Sequence, residues 1–181
     1  MALEIEAIIE RICRGERSAY AEIVRHFQKP LFGFLGRMGL NQAVCEEIAQ
    51  ETFVRAWTNL GRYDPAISRF STWIFGIAKN LALNELARIE KYPQCSETLP
   101  EVASERDDPQ ENLVHSRAMR KLKQALLMLS PSDRSLLALA YLEGVEMAEL
   151  ADMEGCSKGA LKVRIHRAKR RLQALMEKEY G

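Results

Sequence analysis

The sequence predicts an all-α protein. It has two small helical domains, residues 1–92 and 113–181, joined by an acidic flexible linker, residues 93–112. Three observations point there. Apolar residues recur every three or four positions through both halves, the spacing that gathers them on one face of a helix. Strand-like alternation is nearly absent. Between the halves, YPQCSETLPEVASERDDPQEN holds three prolines, little apolar content and no sustained period. Its prolines disfavour helix and its acids repel one another. With 181 residues, 47% apolar and 28% charged, the chain is globular rather than disordered, with room for two modest cores.

Each element has its own signal. Tyr20, Ile23, Val24, Phe27, Leu31, Phe34, Leu35 and Met38 mark a first long helix, with Ser18 as cap, Gly39 as stop and Pro30 predicting a bend or break midway. A second runs from an Asn41 cap through Val44, Ile48, Thr52, Phe53, Ala56, Trp57 and Leu60 to Gly61, with Phe53, Ala56 and Trp57 packing inward. After the loop GRYDPAISRF, Ser71 caps a third helix whose apolar stripe is Trp73, Ile74, Ile77, Ala78, Leu81, Leu86 and Ile89. Its other side carries Lys79, then Asn80, Asn84 and Arg88 at i, i+4 and i+8, which stacks two amides and a guanidinium in one polar row. Beyond the linker, Asp108-Pro109-Gln110-Glu111 opens a helix with Val114, Ala118, Leu122, Ala125, Leu126 and Leu129 on its apolar face. Ser130-Pro131-Ser132-Asp133 opens another, through Leu136, Leu137 and Ala140 to Gly144, and two more span 147–154 and 157–177.

Several function classes drop out. No uncharged apolar run approaches the ~20 residues that span a bilayer. The first residues lack a basic flank before an apolar core, so no signal peptide is expected and the protein is placed in the cytoplasm. Cys13, Cys45, Cys95 and Cys156 form no C-x-x-C pair, and His26, His115 and His166 have no nucleophile, acid or metal-ligand partner at motif spacing. With no glycine-rich phosphate loop either, neither an enzyme, a metal nor a cofactor is expected.

A net charge of +1 hides segregation. Residues 158–171 carry seven Lys/Arg, one His and no acid, whereas 95–112 carry six acids and one base. The basic run lies in MAELADMEGCSKGALKVRIHRAKRRL, which has the organisation of a helix-turn-helix. Leu150 and the small Ala151 face inward, Gly155 supplies the positive φ of a sharp turn, and Ser157 caps a second helix buried through Leu161, Ile165, Ala168 and Leu172. Its exposed faces carry Lys158, Lys162, Arg164, His166, Arg167, Lys169, Arg170 and Arg171, suited to the major groove and its phosphates.

At this point the sequence resembles the sigma-70 family of transcription initiation factors. LSPSDRSLLALAYLEGVEMAELADMEGCSKGALKVRIHRAKRRL resembles their promoter −35-binding domain, EEIAQETFVRAWTNLGRYD their core-polymerase-binding segment, and FSTWIFGIAKNLALNELAR their −10 melting and recognition helix. The motifs cover roughly residues 14–90 and 113–175 in family order, and only the two-domain minimum is present, as in the extracytoplasmic-function (ECF) group. The resemblance implies that residues 47–57 dock on the clamp coiled-coil of core RNA polymerase through Glu47, Gln50, Glu51 and Arg55. It also implies that Arg62, Tyr63, Arg69, Phe70, Lys79, Asn80, Asn84 and Arg88 meet the −10 element. Asn amides suit the Watson–Crick edge of an unpaired base, Tyr63 and Phe70 could stack on one, and Trp73 by its spacing belongs to the core. The −35 DNA falls to the basic set Lys158, Lys162, Arg164, His166, Arg167, Lys169, Arg170 and Arg171. An anti-sigma partner, often membrane-tethered in this group, is implied, and the chain is expected to be monomeric without partners.

The sequence departs from the family's pattern at four places. Glu146 precedes the helix-turn-helix where Ser or Thr is common, Ala160 and Val163 replace small polar residues of the recognition helix, and Asn84 stands where Asp is frequent. The competing reading is a stand-alone helix-turn-helix repressor or activator, which would be a dimer on a palindrome.

Overall fold

The computed structural model describes the backbone of residues 2–92 and 113–180 and the side chains of 4–92 and 119–178. The expected linker, the helix start at 108–111, and the Val114 and Ala118 side chains lie outside the described residues. All regular structure among the described residues is helical. None of the described helices is long and apolar enough to cross a membrane.

In the first half, Ile5, Ile8, Ile9 and Ile12 recur at i, i+3, i+4 and i+7 and all four are buried on α1 (Ala2–Cys13). This helix precedes the first one predicted from the sequence, yet its spacing is as regular as any in the chain. Ser18 lies within a 3-10 turn, Arg17–Ala19, rather than at a cap; Ala19 holds the cap position of α2 (Tyr20–Arg37). Pro30 lies inside α2 and does not break it. An internal proline costs about 3 kcal/mol, and the burial of Phe27 before it and Leu31, Phe34 and Leu35 after it outweighs that cost. The Asn41 side chain accepts from the Val44 N–H at 2.9 Å and caps α3 (Gln42–Thr58) as expected. The Tyr20 hydroxyl, which burial pushes up to about 12, donates to the Phe53 carbonyl at 2.6 Å and ties α2 to α3. A 3-10 turn, Leu60–Arg62, and a loop lead to α4 (Phe70–Lys91). Ser71 does not cap this helix; Arg69 holds that position and no local side chain bonds there.

The second half comprises α5 (Leu113–Leu127), α6 (Pro131–Tyr141), α7 (Met147–Met153) and α8 (Lys158–Tyr180). Ser130 accepts from the Asp133 N–H at 3.1 Å and Ser157 from the Ala160 N–H at 3.2 Å, so both predicted caps form. Gly155 has φ +60° at the turn between α7 and α8. Leu136, Leu139, Leu150, Leu161 and Ala168 are fully buried between these helices.

The halves pack on each other, α4 against α6 and α7, and α2 against α5 and α6. Arg134 anchors the junction. It is 6% exposed. Its guanidinium donates to the carbonyls of Leu126 at 3.0 Å, Leu127 at 2.7 Å and Leu129 at 3.0 Å, and across the junction to that of Met38. A cation thus satisfies the carbonyl ends of α5 and α2 together. Gly39 permits this approach, because at φ +86° an added Cβ would lie 2.7 Å from Leu127 Cδ2 and 2.8 Å from Arg134 Nη1. Arg37 adds a 2.8 Å bond to Glu143. Arg134→Met should lower stability by about 3 kcal/mol, since charge-assisted bonds to helix-end carbonyls go unreplaced. Urea unfolding checks this, and an unchanged midpoint would contradict the anchoring role.

Candidate nucleic-acid interface

Helix α4 presents one row to solvent: Asn80, Asn84 and Arg88 are exposed one turn apart, as their spacing requires. The Arg88 guanidinium donates to Glu85 with bonds of 2.8 and 2.6 Å. Lys79 does not belong to this surface. It is 7% exposed and turns toward the second half of the chain. Phe70, expected to stack on a base, is 3% exposed and sits in an aromatic cluster, 5.6 Å from Phe27, 5.3 Å from Tyr63 and 5.5 Å from Trp73. It is a core residue, since the first turn of α4 closes over the α2 stripe. Tyr63 is half-buried in the same cluster and Trp73 packs at its border, as expected for Trp73. Arg62 and Ile67 are among the exposed side chains of the preceding loop, the latter 73% exposed and unmarked by any periodicity in the sequence.

On α8, Leu161, Ile165 and Ala168 are buried and Leu172 is partly buried, which leaves Lys158, Lys162, His166, Arg167, Lys169 and Arg170 in solvent. Two predicted DNA contacts are instead engaged within the chain. Arg171 is held by Asp133 at 2.5 Å, and Arg164 is half-buried with Glu154 at 2.8 Å.

Glu154 joins the two surfaces. Its carboxylate, 8% exposed, takes Lys79 of α4 on one oxygen at 2.5 Å and Arg164 of α8 on the other. Burial alone would push this carboxyl up, but Lys79 and Arg164 outweigh it and hold the group below the usual carboxylate range. Two more carboxylates flank it. Glu149 on α7 accepts from the Arg69 N–H at 2.8 Å and the Thr72 hydroxyl at 2.5 Å, supplying from across the junction the cap that α4 lacks. Glu146, which stands at the cap position of α7, makes no cap bond and pairs with the Arg69 guanidinium. Glu146 and Glu154 thus occupy Arg69, Lys79 and Arg164, three cations that the sequence reading assigned to DNA.

On α3, Glu47 and Gln50 are exposed, and Arg55 bonds Glu51 at 2.6 Å. Trp57 does not pack inward as expected. It is 38% exposed, with one edge against Tyr20 at 4.8 Å, and Val54 beside it is 57% exposed. Gln50, Val54 and Trp57 lie at i, i+4 and i+7, so a polar and apolar face is open together. Ala56 is fully buried, as expected, and Phe53 is partly buried.

Glu154→Gln should favour separation of the halves by about 3 kcal/mol, because Lys79 is left buried beside a neutral amide. Small-angle scattering should show a larger radius of gyration with unchanged helical circular dichroism; an unchanged radius would contradict this role. In the unsubstituted chain the Glu154 contribution is complete above the ordinary carboxylate pKa, about 4.3. It is lost as pH falls through the lowered value, because the open form then binds the proton more readily than the closed one.

Comparisons with known proteins agree with this geometry. Residues 23–91 match Sigma-70 region 2 and residues 119–172 match Sigma-70, region 4. The chain is similar to the RNA polymerase sigma factor CarQ of Myxococcus xanthus, 30% identical over 171 residues that cover 93% of this chain and 95% of that protein. It is 27% identical to the ECF RNA polymerase sigma factor SigW of Bacillus subtilis, with 96% and 97% covered. Its fold is similar to that of the sigma factor RpoE from Bartonella quintana, solved in complex with the anti-sigma factor NepR, at a TM-score of 0.70 and 23% identity over 87% of this chain and 96% of that one. With both domains matched in order and a relative aligned nearly end to end, the chain belongs to the ECF group of the sigma-70 family, factors that bind core RNA polymerase and direct it to promoters.

Proposed function

We propose that residues 1–92 grip core polymerase and read the −10 element while residues 113–181 read the −35 element, with 93–112 as the tether between them. The observation that carries this division is the pairing, in one chain, of an exposed amide–guanidinium row on α4 with an exposed basic face on α8. The two surfaces suit different forms of DNA. Asn80 and Asn84 each offer a donor and an acceptor, which an unpaired base needs for recognition of its Watson–Crick edge. Lys162, Arg167, Lys169 and Arg170 suit the phosphates of an intact duplex. The open α3 face fits a protein partner: Trp57 and Val54 supply apolar area beside Glu47 and Gln50, so this face is the core-polymerase contact.

In the closed arrangement Glu146, Glu149 and Glu154 engage Arg69, Thr72, Lys79 and Arg164. Promoter binding therefore exchanges carboxylates for phosphates and polymerase groups as the halves separate. An anti-sigma protein acts in the other direction, holding the two halves in the closed form; a relative of the same fold is known in complex with such a partner. The factor works in the cytoplasm and is monomeric when free.

Run-off transcription from pooled genomic fragments, with bacterial core polymerase, tests the function. Discrete transcripts are expected only when this protein is added. Their absence, with duplex binding by the protein alone as a dimer, would favour the repressor reading. Asn80→Ala should leave core binding intact and slow promoter opening, measured by permanganate reactivity of unpaired thymines. Lys162→Ala should weaken −35 binding and reduce the slope of log affinity against log salt by roughly 0.9.

A further inference from the structure

Val163 is 50% exposed and is the one exposed large apolar side chain of α8 among the described residues. Two residues on from the fully buried Leu161, it stands roughly 200° around the helix at about 100° per residue, opposite the buried stripe. It is therefore at the centre of the outward face. The closed arrangement leaves it there, because the neighbouring Arg164 takes the side that meets Glu154.

Nothing among the described residues accounts for a valine at this place. A β-branched residue is a poor helix former, and its exposed methyl groups gain nothing from water. Ala160, one turn earlier, is also exposed, but alanine suits any exposed helical position and so carries no such signal. Val163 lies within the first two turns of α8, the part of a recognition helix that reaches base edges, and Lys162, His166 and Arg167 around it are exposed. Gly159 and Ala160, with little or no side chain, let that end of the helix approach the groove floor closely. A valine can neither donate nor accept a hydrogen bond. Of the groups that base pairs of unmodified DNA present in the major groove, only the C5-methyl of thymine is apolar.

We propose that Val163 is a specificity-determining residue that reads a thymine methyl group in the −35 element. The inference rests on the sigma-factor reading of the chain. It makes part of the −35 code a hydrophobic contact, flanked by phosphate-bound cations that set its register.

The test uses the full chain as holoenzyme with core polymerase, on the −35 element defined by the run-off transcripts. Each thymine of that element is replaced in turn by uracil, which removes the methyl group and keeps the pairing edge. One thymine is expected at which the replacement weakens holoenzyme binding about fourfold, the worth of one buried methyl group. With Val163→Ala the same replacement should cost little, while Val163→Ile should keep the dependence. If no thymine is methyl-sensitive, or if sensitivity is the same with Val163→Ala, the proposal is overturned while promoter-directed transcription still stands. A holoenzyme that yields no discrete transcripts overturns both the sigma-factor reading and this inference.

Discussion

The buried carboxylate of Glu154 is the point on which the arrangement of this protein turns. One anion sits between Lys79 of the first half and Arg164 of the second, and each cation would be exposed or unpaired without it. A buried charge survives only with its partners in place, so these three side chains hold together or separate together. Arg134 plays the matching part on the other side of the junction, where a buried guanidinium ends two helices from different halves at once. Gly39 is required there because no side chain fits between α2 and that cation.

On the proposed reading, this junction uses side chains that promoter recognition also needs. Arg69, Lys79 and Arg164 meet carboxylates from the residue before α7 and the turn after it in the closed form, and Glu149 of α7 places an anion at the N-terminus of α4, a position that suits a phosphate. The amide row of α4, the outer face of α8 and the α3 face around Trp57 stay open. The molecule thus divides its polar surface into a part that is self-engaged and a part that is available, and separation of the halves converts the first into the second.

The outward face of α8 illustrates how much a single helix position can carry. Its cations set affinity for any duplex, whereas sequence is read by the few side chains that reach base edges. On the proposed reading, Gly159, Ala160 and Val163 offer no side-chain hydrogen bond at those positions, so part of the discrimination falls on shape and methyl contact.

The all-α class, the caps at Asn41, Ser130 and Ser157, the Gly155 turn, the buried stripe of α8 and the polar row of α4 were legible in the sequence, because each depends on spacing or on a residue's own backbone preference. The α1 isoleucines were equally legible by spacing. What tertiary structure alone decided is which faces are covered and by what. Phe70 enters the core rather than meeting DNA, Trp57 stays at the surface, and Pro30 is carried through a helix whose burial outweighs its cost. Lys79 and Arg164 read as DNA contacts by type and register, yet their partner Glu154 lies 75 and 10 residues away. Charge pairing across such separations has no period along the chain; it exists only once the two halves have packed.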